Sequence, residues 1–337
     1  MSHVALLIIS LGIILIGAEL FVNGVEWLGK IFNLSEGAVG SVLAAVGTAL
    51  PETIIPIIAI LFSANGTGHD IGIGAILGAP LMLSTLAMFV TGVAVYVFKN
   101  RRIAGTAVHC DYSSMKRDLL FFLLVFSAAI LAGLIPVDYR PFQQLIAVTL
   151  VAAYIYYVHT MLTQERDIES DNSIPPCYFD RQAETPASHR VGIQVLLALA
   201  CIIIGANFFV DSITAVAALY QVPAFVLALI ITPIATELPE KFNSVIWISR
   251  EKDGLALGNI TGAMVFQSSL IPALGILMTD WQLTTGAMYS SLLAIASSAM
   301  LFIYLQRERR MSALTLLLCG GFYSIFLFAV FTGVITG

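Results

Sequence analysis

The sequence is divided into ten apolar runs, each long enough to cross a bilayer as a helix. They fall at roughly 4–27, 38–62, 71–98, 118–136, 141–163, 191–219, 223–249, 254–278, 284–305 and 312–336. Of the 337 residues, 58% are hydrophobic and only 11% are charged, a composition that excludes a soluble globular protein of this length. The predicted fold class is therefore an all-α polytopic membrane protein with about ten transmembrane helices.

The distribution of basic residues predicts how these helices are oriented. If the N-terminus lies outside, all but two of the 16 Lys and Arg residues fall in or beside connections on the inside. The exceptions are Arg140, in an outside connection, and Lys241, within a helix. Because cytoplasmic connections are enriched in Lys and Arg, both termini are predicted to lie outside. The short N-terminus and the short linker suit a multi-pass protein of a prokaryotic inner cell membrane.

One polar motif occurs twice within the apolar runs. The first copy is Gly47-Thr48-Ala49-Leu50-Pro51-Glu52, and the second, 188 positions later, is Ala235-Thr236-Glu237-Leu238-Pro239-Glu240. An ionisable side chain at bilayer depth is costly and usually marks an ion pathway. The proline frees a backbone carbonyl about one turn earlier, and Thr and Glu four positions apart share a helix face. Two such faces together would form an oxygen cage suited to a hard cation.

The repetition extends beyond this motif. Residues 17–23 align with residues 205–211 at the same offset of 188, and residues 73–79 align with residues 257–263 at an offset of 184. Each half contains an odd number of predicted helices, so the two copies enter the membrane from opposite sides. The prediction is two inverted five-helix repeats, an organisation typical of secondary transporters with interrupted helices and a site near the midplane.

The predicted domain division follows the repeat. Residues 1–163 form the first membrane repeat, residues 164–190 a cytoplasmic linker, and residues 191–337 the second, inverted repeat. The linker is polar and acidic and contains Pro175-Pro176, which indicates a solvated tether. A regulatory cation-binding loop is the alternative, although the linker has no metal-loop spacing. The four cysteines also lack metal-type spacing and are expected to be inert thiols.

Taken together, the two motif copies and the ten-helix plan resemble the cation/calcium antiporters, which include the sodium/calcium exchangers. The resemblance covers both signature repeats of that superfamily, at about 17–83 and 205–267. The family motif Gly-Thr-Ser-x-Pro-Glu corresponds to residues 47–52 and, in the second copy, to residues 235–240. The later Gly-Ser-Asn element appears as Gly78-Ala79-Pro80 and Gly262-Ala263-Met264.

The resemblance implies a binding site for a divalent cation. The implied ligands are two carboxylates, two hydroxyls and two main-chain oxygens: Glu52 and Glu240, Thr48 and Thr236, and the carbonyls at about Ala45 and Pro233. Predicted helices two, three, seven and eight would enclose this site. Helices one and six would slide against that core and so give alternating access.

The sequence departs from the family at the positions that bind sodium. The family's four sodium-binding serines fall at Ala49, Glu237, Ala79 and Ala263, and the polar pair four residues after the later serines falls at Leu83 and Gln267. Methyl and isobutyl groups cannot replace water around sodium. Sodium coupling through these positions is therefore in question, and Gln267 is either a ligand or a packing amide between helices.

Glu237 adds a carboxylate to the implied cage. It lies three residues before Glu240 and four before Lys241, so all three can share one helix face. In one interpretation, Lys241 neutralises Glu237 as a built-in counter-ion or as a structural ion pair. In another, Glu237 takes up a proton, because burial and a neighbouring like charge both favour the neutral acid. Bound protons could then exchange for the metal ion.

The predicted function is a secondary antiporter that exchanges a divalent cation for H⁺ or Na⁺. Ca²⁺ is the family's substrate, and Mg²⁺ or Mn²⁺ would also fit the cage. An intramembrane enzyme and a passive channel are the alternatives, but the sequence has no HExxH or Gly-x-Ser-x-Gly motif, and an enzyme would not need two inverted half-sites. No cofactor and no nucleic acid is expected; the partners are inorganic cations and the lipid bilayer, and the protein is a monomer or a homodimer.

Overall fold

The computed structural model of the protein describes residues 3–31, 49–62, 68–164, 175–183 and 185–335. In chain order the helices are α1 (His3–Ile31), α2 (Leu50–Phe62), α3 (Gly68–Met82), α4 (Met88–Phe98), α5 (Tyr112–Ala132), α6 (Arg140–Gln164), α7 (Ser188–Tyr220), α8 (Ala224–Ser249), α9 (Asp253–Met278), α10 (Thr285–Glu308) and α11 (Ala313–Phe331). A π-helical turn, Leu83–Ala87, joins α3 to α4. Strands β1 (Ala107–Val108) and β2 (Met311–Ser312) form a small antiparallel ladder.

The predicted all-α fold class is confirmed. Each of the ten apolar runs contains a described helix, although the second run is described only from residue 49 onward. Seven helical segments of the described chain are long and apolar enough to cross a membrane. The total of ten spans stays a prediction.

The described chain divides into two compact units. The first comprises Met1–Gly68 and Ile155–Leu219, and the second comprises His69–Tyr154 and Tyr220–Gly337. Each unit therefore takes residues from both halves of the sequence. The assignment of residues 1–163 and 191–337 as two repeats stays a prediction based on the aligned motifs.

In the first unit, α1 and α7 pack antiparallel through a reciprocal contact. A Cβ added at Gly17 would lie 2.8 Å from Ile202 Cγ1 and 3.1 Å from the carbonyl oxygen of Ala198. A Cβ added at Gly205 would lie 2.9 Å from Ile14 Cγ1 and 3.1 Å from the carbonyl oxygen of Ser10. Every residue in the second contact lies 188 positions from its counterpart in the first. Exchanging each residue for the one 188 positions away therefore gives the same contact again. This symmetry is the one expected of inverted repeats.

The second unit is a helical bundle in which helices from the first and second halves of the sequence pack together. Helix α5 packs along α9 and α10, while α4 packs against α8 and α11. Its buried surface is apolar but contains many serines and threonines, whose hydroxyls donate to carbonyls of their own helices, as Ser84 does to Pro80 and Ser269 to Val265. These bonds satisfy hydroxyl groups at positions that water cannot reach.

Three connections meet at one end of the second unit and are fastened by a buried ion pair. The guanidinium of Arg102 forms two hydrogen bonds of 2.7 and 2.6 Å with the carboxylate of Asp253, and both side chains are almost fully buried. Arg102 also donates to the carbonyls of Ile248, Gly105 and Ala107. The adjoining β1–β2 ladder ties the connection after α4 to the connection after α10.

The connections at the opposite end of the second unit are joined by Gln143 and Trp281. The Gln143 amide donates to the carbonyl oxygens of Ala132 and Ile135, while Trp281 Nε1 donates to the carbonyl of Ala129 at 2.9 Å. Both side chains are fully buried. Apart from Arg140 at this end and Lys241 within α8, all Lys and Arg residues of the second unit lie at the end that holds Arg102.

Close packing of α3 on α8 depends on two glycines. A Cβ at Gly74 would press on the carbonyl oxygen of Phe225, and a Cβ at Gly78 would overlap the carbonyl oxygen of Leu229 and the ring of Pro233. Pro233 has no N–H, so the Leu229 carbonyl one turn earlier lacks its usual helical donor. Gly74 and Gly78 are therefore packing positions, at which the lack of a side chain lets α3 approach the backbone of α8.

The interpretation of the linker as a solvated tether is wrong for residues 175–183. Cys177 is fully buried and packs with Trp27 and Val191. The carbonyl oxygen of Pro175 accepts a hydrogen bond from Trp27 Nε1 at 2.9 Å. This segment therefore lies against α1 and α7, held by apolar burial and by polar contacts that the acidic composition of the linker did not reveal.

Candidate functional site

The second motif copy lies in α8, which is helical without a break through Pro233 and Pro239. Thr236 and Glu237 are buried, with 5% and 1% of their surfaces exposed, and Pro233 is buried one turn earlier. The helix thus places a hydroxyl and a carboxylate inside the second unit, away from water. The predicted break in this helix is therefore absent from the backbone path. The two prolines lack an N–H, so only the hydrogen bonds that they would have donated are missing.

Gln267 of α9 brings an amide to the Glu237 carboxylate. Its Nε2 donates to Glu237 Oε1 at 2.5 Å, and both side chains are buried. The Gln267 Oε1 atom is also buried and has no hydrogen-bond partner among the described residues. Gln267 is therefore more than a packing amide, because it binds the carboxylate that the second motif adds.

Thr236 donates its hydroxyl proton to the carbonyl of Thr232 at 3.1 Å. A hydroxyl that donates in this way keeps its oxygen lone pairs available as an acceptor. Thr232 itself is 2% exposed, and its Oγ1 has no hydrogen-bond partner among the described residues. Because Thr232 and Thr236 lie four positions apart, they share one face of α8.

The first motif copy is described from Ala49 onward, in the first unit. Glu52 lies in the first turn of α2 and is 7% exposed. Thr53 donates both its backbone N–H and its hydroxyl to the carbonyl of Ala49. Two predicted ligands of this copy, Thr48 and Ala45, lie outside the described residues.

The side chains of Glu240 and Lys241 also lie outside the described part, although their backbone belongs to α8. The two hypotheses for Lys241, a counter-ion for Glu237 or a structural ion pair, therefore stay predictions. Among the described residues, no three His, Cys, Asp or Glu side chains form a group that could hold a metal ion.

Two positions at which the family has a polar side chain for sodium, one of the serines and one of the polar pair, are buried and apolar here. Ala79 is 3% exposed and Leu83 is fully buried. Leu83 also begins the π-helical turn, and the next residue, Ser84, offers its carbonyl to Ser297 of α10 at 2.6 Å. The side chains of Ala79 and Leu83 therefore offer no oxygen ligand at these two positions.

Two buried polar features of α8 and α9 were not predicted from the sequence. Thr232 could have been found, because it lies on the same face of an apolar helix as Thr236. The second is a buried contact between Thr261 Oγ1 of α9 and Asp118 Oδ2 of α5, 2.7 Å apart. That contact joins residues 143 positions apart, and no local pattern in either segment indicates it.

Comparison with known proteins gives matches along almost the whole chain. Residues 2–163 and 191–334 match the family model described as "Sodium/calcium exchanger protein". The sodium/calcium exchanger MaX1 of Methanosarcina acetivorans is 25% identical over 98% of the chain and 99% of its own length. The inner membrane protein YrbG of Escherichia coli is 24% identical over 94% of each protein.

A solved structure of similar fold is the H⁺/Ca²⁺ exchanger CAX. It matches with a TM-score of 0.75 and 17% identity, covering 100% of this chain and 83% of its own. At that identity the likeness concerns the fold, which is again helical and polytopic. The two segments of the family match lie on either side of the linker and contain both motif copies.

Proposed function

Because the chain belongs to the sodium/calcium exchanger protein family, we propose that it exchanges Ca²⁺ for protons or sodium across a membrane by alternating access. Members of this family are transporters and not enzymes, which removes the intramembrane enzyme as an alternative. No finding favours a passive channel. The observation that carries the proposal is the duplicated motif: Glu52, Thr236 and Glu237, described in two different helices, are all buried.

In this proposal the cation is held by both motif copies. Glu52 and Glu240 neutralise its charge, and the hydroxyls of Thr48 and Thr236 complete the oxygen set, with main-chain oxygens near Ala45 and Pro233. Ca²⁺ takes six to eight oxygen ligands and tolerates mixed carboxylate, hydroxyl and carbonyl donors. The burial of Glu52 and Thr236 supports this assignment. Polar and ionisable side chains within a membrane helix are energetically costly and usually serve a function.

We favour protons over sodium as the counter-ion. Sodium needs several oxygen ligands in place of its water, and Ala79 and Leu83 are buried without a side-chain oxygen to offer. Glu237, held by Gln267, is the carboxylate that this chain has in place of a family serine. The similar proteins include exchangers of both kinds, because MaX1 is named a sodium/calcium exchanger and CAX an H⁺/Ca²⁺ exchanger.

The proposal is tested by uptake of ⁴⁵Ca²⁺ into proteoliposomes that contain the purified protein. An outward gradient of protons or of sodium is imposed separately, with unlabelled Mg²⁺ and Mn²⁺ as competitors. We expect uptake with the proton gradient and none with the sodium gradient alone. Uptake that needs neither gradient, and that is conductive, would mean that the protein is a channel.

The variant Glu237→Ser sharpens the counter-ion experiment, because it places a hydroxyl where the family has one. We expect this variant to lose uptake driven by protons, while Asp280→Asn, which changes an exposed carboxylate outside the helices, retains it. If Glu237→Ser keeps its dependence on the proton gradient unchanged, Glu237 takes no part in coupling. Sodium-driven uptake by the unmodified protein would show ligands for sodium elsewhere in the chain.

The proposal includes a multi-pass location in the inner cell membrane with the basic end of the second unit in the cytoplasm. The support is the clustering of nearly all Lys and Arg of that unit at the end that holds Arg102. The name of the relative YrbG agrees with an inner-membrane location. With ten spans, this orientation would put both termini outside.

A further inference from the structure

A buried glutamine joins α1, α7 and the linker segment 175–183. Gln194 of α7 is fully buried and uses its whole hydrogen-bonding capacity. Its Nε2 donates to the carbonyl of Leu20 at 2.8 Å and to Asn23 Oδ1 at 3.0 Å. Its Oε1 accepts from the Phe179 N–H at 3.1 Å and from the Cys177 thiol at 3.2 Å. A fully satisfied buried network of this kind fixes one arrangement of the elements it joins.

Asn23 of α1 extends this network to the linker. It is 4% exposed, its Nδ2 donates to the carbonyl of Pro175 at 3.2 Å, and its Oδ1 also accepts from the Tyr178 N–H. Trp27 donates to the same Pro175 carbonyl. The hydroxyl of Tyr178 donates to Glu19 Oε1 at 3.0 Å on the exposed side of α1. We call residues 175–183 with Asn23, Trp27 and Gln194 the clasp.

The segment is also fixed to the start of α7. Asp180 accepts a hydrogen bond from the Ala187 N–H and forms an ion pair of 2.7 Å with Arg190. The segment thus lies against α1 and leads into the start of α7. Contacts to both helices make the segment a bridge between them and not a free tether.

The clasp has no counterpart at the other end of the α1–α7 pair. The repeat relates Gln194 to Leu6 and Asn23 to Asp211, each 188 positions away. Leu6 has no hydrogen-bonding side chain, and Asp211 is exposed. The glycine contact between α1 and α7 is the same when each residue is replaced by its counterpart 188 positions away. The hydrogen bonds of the clasp are found at only one end of the pair among the described residues.

We propose that the clasp holds α1 and α7 together at this end so that the two helices move as one body during transport, with Gln194 as the positioning residue. The inference rests on the proposed function, alternating access, and on the implication of the family resemblance that predicted helices one and six, here α1 and α7, slide. It assigns to the linker a mechanical part in the transport cycle. The clasp is expected to stay closed throughout that cycle.

The first test bridges the clasp covalently. Glu19→Cys and Tyr178→Cys place thiols at an exposed contact, and a short bifunctional methanethiosulfonate joins them reversibly. We expect the bridged protein to take up ⁴⁵Ca²⁺ at a rate within about twofold of the reduced sample, as do the two single variants treated alike. A bridged protein that is inactive until it is reduced would show that the clasp must open, which overturns the proposal.

The second test weakens the clasp and then restores it. Gln194→Leu removes four hydrogen bonds at similar volume, and we expect the maximal rate to fall at least about tenfold with an unchanged KM for Ca²⁺. Bridging residues 19 and 178 in the same protein should restore the rate, which a folding defect would not allow. An unchanged rate in Gln194→Leu, or a low rate that bridging does not restore, contradicts the proposal.

A third measurement does not depend on transport. Cys177 is fully buried in the clasp, whereas Cys201 is partly exposed, so alkylation followed by peptide mapping reports whether the clasp is closed. We expect Cys177 to resist alkylation in the unmodified protein with and without Ca²⁺, and to react in Gln194→Leu. Rapid alkylation in both proteins would refute the clasp, whereas absent ⁴⁵Ca²⁺ uptake with protected Cys177 would refute the proposed function alone.

Discussion

At the scale of single residues, the second motif has a carboxylate, Glu237, where the first has Ala49, and this carboxylate accepts a hydrogen bond from the Gln267 amide. Glu237 and Gln267 lie 30 positions apart, in two successive helices, and meet at 2.5 Å. The amide carries no charge, so it orients Glu237 and leaves the net charge of the site unchanged. Through Gln267, α9 therefore fixes the orientation of the Glu237 carboxylate in α8.

The first residue-scale prediction concerns Glu52. Glu52→Gln keeps the shape of the side chain but removes the charge that the proposal assigns to cation binding. We expect the apparent affinity for Ca²⁺ to fall about 10- to 100-fold, since a bond to a charged group is worth roughly 1.5–3 kcal/mol. The concentration dependence of ⁴⁵Ca²⁺ uptake measures this change.

Asp211→Asn is the matched control, because Asp211 is an exposed carboxylate of α7 that the proposal does not use. We expect its affinity for Ca²⁺ to equal that of the unmodified protein. Near-normal affinity in Glu52→Gln would mean that the cage assignment is wrong.

Residue patterns indicated polar side chains within the apolar runs but not the contacts of those side chains. Two copies of a Thr–Pro–Glu pattern in apolar runs indicated Glu52 and Thr236, and both are buried. The same patterns could not say that Gln267 bonds Glu237, because the choice between ligand, packing amide and bonding partner depends on the register of α8 against α9. Register is set by packing over the whole length of both helices.

At the scale of elements, the ends of α8 and α9 are held by the Arg102–Asp253 pair. The guanidinium lies against the carbonyl of Ile248 near the C-terminal end of α8, and Asp253 begins α9. A cation at a helix C-terminus and an anion at an N-terminus both complement the helix dipoles. The pair therefore fixes the two helices that carry Glu237 and Gln267 at their shared connection.

We expect Arg102→Gln to destabilise the protein by about 3–5 kcal/mol, because it leaves Asp253 buried without its partner cation. Arg101→Gln removes the same charge from the neighbouring, exposed position and should change stability by no more than about 0.5 kcal/mol. Thermal unfolding of both variants in detergent measures the difference. Equal melting temperatures would show that the ion pair adds little to stability.

From the sequence, Arg102 is one of the basic residues that orient the chain, and nothing near it in the sequence indicates its partner. Arg101 and Arg102 are adjacent and chemically identical, yet one is exposed and the other makes five hydrogen bonds. The partner, Asp253, lies 151 positions away. Only the assembled fold distinguishes the two arginines.

At the scale of the whole molecule, the two ends of the second unit differ sharply in charge. This difference predicts that Ile103, 99% exposed at the basic end, faces the cytoplasm and that Val137, at the opposite end, faces outward. In a Cys110→Ser background, an impermeant thiol reagent should label Val137→Cys in intact cells. Ile103→Cys should be labelled only after the membrane is opened, and the reverse pattern would invert the proposed orientation.

The overall architecture was the most predictable level. Apolar runs located the helices, because a span needs a long apolar segment whatever its neighbours are. The docked segment 175–183 was not predictable, since its acidic and proline-rich composition is also that of a solvated tether. Its position is held by hydrogen bonds with Asn23 and Gln194, which belong to helices on either side of it in the sequence.

The reciprocal contact of Gly17 and Gly205 has a consequence for the history of the chain. A contact that is unchanged when its two sides are exchanged is isologous, the form that joins identical subunits in a homodimer. Two copies of a half-length ancestor, inserted in opposite directions, would have met through one glycine each. A single chain that arose in this way would carry a former subunit interface between α1 and α7. Asn23 and Asp211, or Gln194 and Leu6, could then diverge once the two copies were separate sequences.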